Sequence, residues 1–212
     1  MVTFIFVRHG QSVFNKTRQY TGQLDIPLDS VGLSQAKDVC KYITENYKID
    51  AVVASDLSRA YGTVLPAAKH FGLDVIKTSA LREINVGDWQ GKYIDDLKKD
   101  FSEKLTEIKT HPDVCPFPNG ETSADVLNRS LDMLKKSAKD FDGKTVLVGT
   151  HGGVVRVLMA YFNGVPISKL SEVPVVPNAS VTVVRFDGEK FEVVLSGFCD
   201  YLSGEALKTD AY

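Results

Sequence analysis

The chain has 212 residues, of which 43% are hydrophobic and 25% charged, a balance that sets disorder aside and allows one domain with a substantial core. Its formal net charge of −2 provides no global field for gathering nucleic acid or an anionic membrane surface, so an anionic ligand must be held by a few local charges. The three cysteines, Cys40, Cys115 and Cys199, are odd in number and widely spaced, which excludes a disulfide framework or zinc ribbon and points to a reducing compartment.

No basic leader with a long apolar centre stands before the first strand, and no run approaches the roughly 20 apolar residues that span a bilayer. The expectation is a cytoplasmic protein. Residues 4–7, Phe-Ile-Phe-Val, form a short continuous apolar run of the kind found in a strand buried on both faces. A polar loop follows over 16–29. Leu33, Ala36, Cys40, Ile43 and Tyr47 then recur at helical spacing, with Ser30 as the expected N-cap. Residues 51–55, "AVVAS", are a second buried strand. The next segment reads as a helix capped by Ser55 and ended by Gly72, with Pro66 expected to kink or restart it.

Residues 73–78 are a third strand. Residues 88–120 break the strand–helix rhythm and are read as a cap above the strand ends, because long connections in compact domains usually serve function. Thr122 and Asp125 stand in capping-box relation before a helix with Leu127, Leu131, Leu134, Ala138 and Phe141 on one face. Residues 145–150, "TVLVGT", are another buried strand, followed by a helix that stops at Gly164. Two closing strands, 180–186 and 191–198, join around Asp187 and Gly188. The terminal "SGEALKTDAY" reads as a mobile tail. The alternation predicts an α/β layered fold.

Two of the four histidines stand directly after buried strands and before a glycine: "FVRHG" and "VGTHG". A parallel strand of this kind ends at the crevice where ligands bind. The glycines let backbone and ligand approach closely, and the helix beginning near Gly152 aims N–H groups outward, which suits a phosphate dianion. A single histidine is more often structural; two at equivalent strand ends favour a site. His70, near a helix C-terminus, is given the structural reading, and His111 lies in a proline-rich loop with nothing to fix it.

The run "VRHGQSVFN" resembles the Arg-His-Gly signature of the histidine phosphatase superfamily, which includes the cofactor-dependent phosphoglycerate mutases. The resemblance continues in order through "YTGQLDIPLDSVGLSQA", "ASDLSRAYGT", "LREINVGDWQG", "FPNGETSADVLNR" and "VGTHGGVVR". It implies a three-layer α/β/α sandwich with a mostly parallel central sheet and at least one antiparallel edge strand, in a single domain over 1–212 that includes the cap at about 88–120.

The resemblance makes His9 the nucleophile, forming a phosphohistidine that water hydrolyses. Attack needs a neutral ring nitrogen, with the other nitrogen donating to a fixed acceptor, expected to be a backbone carbonyl. Arg8 and Arg59 become phosphate clamps, and His151 a donor to an equatorial oxygen as charge develops. Glu83 is the acid that protonates the leaving alkoxide, its pKa raised by nearby bound phosphate. Asn15, Gln11, Thr21, Gly22 and the Gly152 backbone supply further phosphate contacts. Family members commonly carry Glu where Gln11 stands. Ser12 is as well explained by capping the local turn as by chemistry.

The mutases typically read Glu-Arg-His-Tyr-Gly at the acid block, whereas this chain reads Glu83-Ile84-Asn85-Val86-Gly87. Ile84 and Val86 offer no hydrogen bond to a glycerate carboxylate, and residues 88–117 carry scattered lysines in place of an arginine pair. The reading is therefore a phosphatase acting on a small phosphorylated metabolite, needing no cofactor or metal, and working as a monomer or homodimer. A 2,3-bisphosphoglycerate-dependent mutase and a non-catalytic phospho-ligand binding domain are the alternatives. Trp89 is expected to pack beneath the cap; Tyr20, Phe117 and Lys92 are candidates to line the substrate site.

Overall fold

A six-stranded sheet runs through the middle of the computed structural model, which describes residues 1–203. Its strands are β1 (Val2–Arg8), β2 (Ala51–Ser55), β3 (Val75–Thr78), β4 (Thr145–Thr150), β5 (Val181–Phe186) and β6 (Phe191–Phe198), in the spatial order β3-β2-β4-β1-β5-β6. The first four positions are parallel; β5 pairs antiparallel with β1, and β6 antiparallel with β5. The helices are α1 (Val13–Thr17), α2 (Ser30–Asn46), α3 (Ser58–His70), α4 (Ile94–Asp100), α5 (Ser102–Thr110), α6 (Ser123–Ser137) and α7 (Gly152–Phe162).

Strand alternation divides the core in two. Phe4 and Phe6 of β1, with Val146 and Val148 of β4, point to the face covered by α6 and α7. Ile5, Val7 and Leu147 point to the face covered by α2 and α3. The sheet is thus buried on both sides, as the unbroken apolar runs of β1 and β4 predict. This is the expected three-layer sandwich with an antiparallel edge. Among the described residues no helix is long and apolar enough to cross a membrane, and the three cysteines are free thiols.

Several local expectations change. The N-cap of α2 is Asp29, whose carboxylate accepts from Gly32 N at 2.8 Å, and Ser30 is the first helical residue. Leu33 is exposed; Gly32, Gln35, Ala36, Val39 and Ile43 are the residues α2 buries. Ser55 does not cap α3, which begins after Leu57 without a side-chain cap. The helix is not restarted at Pro66 but runs through it. The strand expected over 73–78 starts only at Val75, and β1 extends to Arg8. The capping box of Thr122 and Asp125 is present at α6. Of the terminal stretch read as a tail, residues 204–212 lie outside the described residues.

Within residues 88–120, α4 and α5 pack over a separate cluster of Val86, Trp89, Leu97, Leu105, Ile108 and Cys115. Trp89 is 1% exposed, ringed by Tyr20, Phe101 and Phe117 at centroid distances of 5.5–6.2 Å.

Candidate active site

Two adjacent parallel strands bring the site together. Arg8 and Thr150 are register partners at the ends of β1 and β4, so the next residues, His9 and His151, emerge side by side. Their rings lie 5.1 Å apart at 61°. The chain leaves β1 for α2 on one face and β4 for α7 on the other, which opens a crevice at this edge.

The backbone of His9 is pinned from three directions. Its N–H donates to Thr150 O at 2.9 Å, and its carbonyl accepts from Asn178 Nδ2 at 2.9 Å and Ala179 N at 3.2 Å. The ring Nδ1 lies 2.7 Å from Gly10 O. A carbonyl only accepts, so Nδ1 carries the proton and Nε2 keeps its lone pair. Burial, then Arg59 and Arg8, hold the His9 imidazole well below its ordinary pKa of 6.5, outweighing the opposing contribution of Gly10 O. The result is a neutral imidazole with a fixed orientation at neutral pH.

His151 is completely buried. Its Nε2 is 2.9 Å from Ser55 Oγ, which also accepts from Leu57 N at 3.3 Å. Using the serine proton satisfies this arrangement when Ser55 donates to Nε2, leaving Nδ1 as an N–H donor. Burial, then Arg59 and His9, keep this imidazole well below its ordinary pKa too.

Arg8 and Arg59 are buried cations without a carboxylate at salt-bridge distance among the described residues. Backbone carbonyls hold them instead. Arg8 Nη1 donates to Val176 O at 2.5 Å; Arg59 Nη1 and Nη2 donate to Leu24 O and Gly22 O, each at 2.8 Å. Burial lowers both guanidinium pKa values to about 10, with Glu83 acting in the opposite sense, so both remain charged at neutral pH. The Nε atoms of Arg8 and Arg59 and Nδ1 of His151 are buried with no protein partner. An unsatisfied buried donor costs about 1–3 kcal/mol, a cost that an oxyanion accepting from these atoms would relieve. A Cβ on Gly152 would come within 3.1 Å of Arg8 Nε, so the glycine is what lets that guanidinium lie against the helix N-terminus.

Glu83 reaches the same cavity from the other side of the sheet. Its Oε1 accepts from Ile84 N at 2.9 Å and its Oε2 from Gly153 N, in the first turn of α7, at 3.1 Å. The segment carrying it is braced from α6. Arg129 donates to Ala80 O at 2.8 Å and to Glu83 O at 3.0 Å, and it pairs with Glu121 at 2.9 Å. Glu121 in turn accepts from Asn85 N at 2.8 Å.

The cavity encloses about 240 Å³ and is bordered by Arg8, His9, Asn15, Thr21, Gly22, Arg59, Glu83 and Gly152, among others. Of the expected catalytic and contact residues, all but Gln11 and His151 border it; His151 is completely buried and stands behind this wall, its ring 5.1 Å from that of His9. The Gln11 amide donates to Asp29 Oδ2 at 2.8 Å and its backbone N–H to Gln35 Oε1, tying the loop to α2 away from the cavity wall. Ser12 is the N-cap of α1, in a reciprocal capping box with Asn15. Tyr20 borders the cavity, but Lys92 is exposed, over the ring of Phe101. His70 lies exposed in the last turn of α3, and His111 borders neither this cavity nor the one adjoining it. Asn178, Glu121 and Arg129 were not singled out from sequence, and Ser55 was read only as a helix cap. Only Ser55 had a signal, as the polar last residue of an otherwise apolar strand.

Among the described residues no group of three His, Cys, Asp or Glu side chains is placed to hold a metal ion. A family model for the histidine phosphatase superfamily (branch 1) matches residues 4–198. The chain belongs to that superfamily. It is 34% identical over 189 residues to a metal-independent phosphoserine phosphatase of Arabidopsis thaliana, covering 88% of this chain and 77% of the relative. The fold superposes on Bacillus stearothermophilus YhfR with a TM-score of 0.89 at 29% identity, covering 95% of this chain and 99% of the other. A mycobacterial glucosyl-3-phosphoglycerate phosphatase in complex with VO3 matches with a TM-score of 0.83 at 26% identity, over 91% of this chain and 97% of the other.

Proposed function

We propose that this protein hydrolyses phosphomonoesters of small metabolites through a phosphohistidine on His9. The carrying observation is the fixed Nδ1 proton of His9 beside three unpartnered buried donors. The Nε2 lone pair attacks phosphorus as the bond to the ester oxygen breaks. Arg8, Arg59 and His151 take up the charge on the equatorial oxygens, a role worth about 2.7–4 kcal/mol of barrier per donor. Glu83 passes its proton to the departing alkoxide. As a carboxylate it then takes a proton from water, which attacks the phosphoryl group, breaks the P–N bond and restores His9.

A relative named as a metal-independent phosphoserine phosphatase supports hydrolysis. So do Ile84 and Val86 in the cavity wall, where a mutase would need donors for a glycerate carboxylate. Rapid denaturation after mixing with a labelled phosphate ester should trap acid-labile, base-stable label that is absent in His9→Ala. Full turnover by His9→Ala would refute the mechanism. Tight ester binding without hydrolysis would point instead to a binding domain, and bisphosphoglycerate-dependent interconversion of phosphoglycerates to a mutase.

A further inference from the structure

Beside the catalytic cavity lies a second one, of about 360 Å³. The two share Tyr20, Ile84, Gly153 and Arg156 as common wall. The second chamber is faced mainly by Leu105, Ile108, Phe117, Val126, Val157 and Leu170, drawn from the cap, α6, α7 and the segment after α7. Its charged lining residues are Lys109 and Arg156, with no carboxylate among them. Arg156 is fixed there by donating to Val173 O at 2.7 Å and Leu170 O at 2.9 Å.

Glu83 stands at the junction, since Gly153 borders both cavities and donates to the Glu83 carboxylate. An ester oxygen protonated by Glu83 therefore leaves toward the chamber, and the rest of the alcohol follows it. We propose that the physiological substrate is a phosphomonoester whose alcohol has an apolar, branched or aryl body and no ammonium group. This rests on the hydrolase reading above. Apolar walls favour such a body by the area it removes from water. An ammonium would enter beside two cations with no counter-carboxylate in the lining, so its desolvation would go uncompensated. The ammonium of an aminated alcohol lacks a partner among the chamber's lining residues.

The test is a series of methyl, propyl and pentyl phosphates against phosphoethanolamine. For the wild-type enzyme, kcat/KM should rise about fourfold per added methylene, the equivalent of about 0.8 kcal/mol for each one buried. Phosphoethanolamine should fall below methyl phosphate, although its leaving alcohol is the more acidic. Ser171 borders the chamber and is exposed, so Ser171→Trp plugs it with little risk to folding. That variant should flatten the series and leave methyl phosphate turnover unchanged. A flat wild-type series, phosphoethanolamine outrunning propyl phosphate, or an unaltered slope in Ser171→Trp would overturn the proposal while trapped phosphohistidine still upheld the hydrolase. Absence of both hydrolysis and trapped label across the panel would overturn both.

Discussion

Replacing Gly153 by alanine should disable proton delivery by displacing the Glu83 carboxylate, while sparing the fold and removing no catalytic side chain. A Cβ at this position would lie 2.2 Å from Glu83 Oε1, whereas ordinary contact begins near 3.4 Å. The carboxylate must therefore retreat by about 1 Å. It is the free end of a flexible side chain, so it can swing aside. Alanine gains up to about 1 kcal/mol of helix propensity over glycine, and the lost hydrogen bond from Gly153 N costs about 1 kcal/mol. The two nearly cancel. A displacement of about 1 Å at a reacting group costs about 10²-fold in rate, within the roughly 10²–10⁴ that a general acid contributes. Steady-state assays should thus show kcat for propyl phosphate falling about 10²-fold, with the thermal midpoint almost unmoved. p-Nitrophenyl phosphate, whose leaving group needs no proton, should be turned over nearly as before. Wild-type kcat on propyl phosphate would refute the role of Glu83, and equal losses on both esters would mean that the substitution disturbs phosphate binding instead.

Ser55→Ala removes the hydroxyl that orients His151 and leaves buried Nε2 unpartnered, so stability should drop by about 1–3 kcal/mol and kcat should fall with KM little changed. A variant of normal stability and rate would remove Ser55 from the machinery. Folded His9 and His151 are held below the ordinary 6.5, by burial first and then by neighbouring cations. The unfolded chain therefore binds protons that the folded chain refuses: their contribution is complete above that value and declines as pH falls through it, by about 1.4 kcal/mol per unit for each histidine. Denaturant titrations between pH 7 and 5 should show this loss, reduced in His9→Gln; constant or rising stability on acidification would contradict it. Turnover should survive exhaustive chelation and be blocked by vanadate, and restoration of chelated enzyme by a divalent cation would overturn the metal-independent scheme.

Much of the site was already legible in short segments. Short apolar runs at 4–7 and 146–148 suit strands buried on both faces, and the polar residues that follow each run stand at the strand ends. That local logic places His9 and His151. Capping follows the same logic where the partner is three residues away, as at Thr122 and Asp125. It fails where neighbouring residues compete for one role, as Asp29 and Ser30 do at α2.

Which side chains hold the catalytic groups in place was settled only by long-range packing. Ser55 meets His151 across 96 residues of chain, and Asn178 meets the His9 carbonyl across 169. Gln11 bears the polarity of a phosphate contact but is claimed by Asp29. Each such bond is worth about 1 kcal/mol net, and no periodicity records it. Apolar spacing carries the strands and helices because burial acts on every residue of an element at once. The partner of a single buried polar atom depends on where distant segments meet, and that is set by the assembled core.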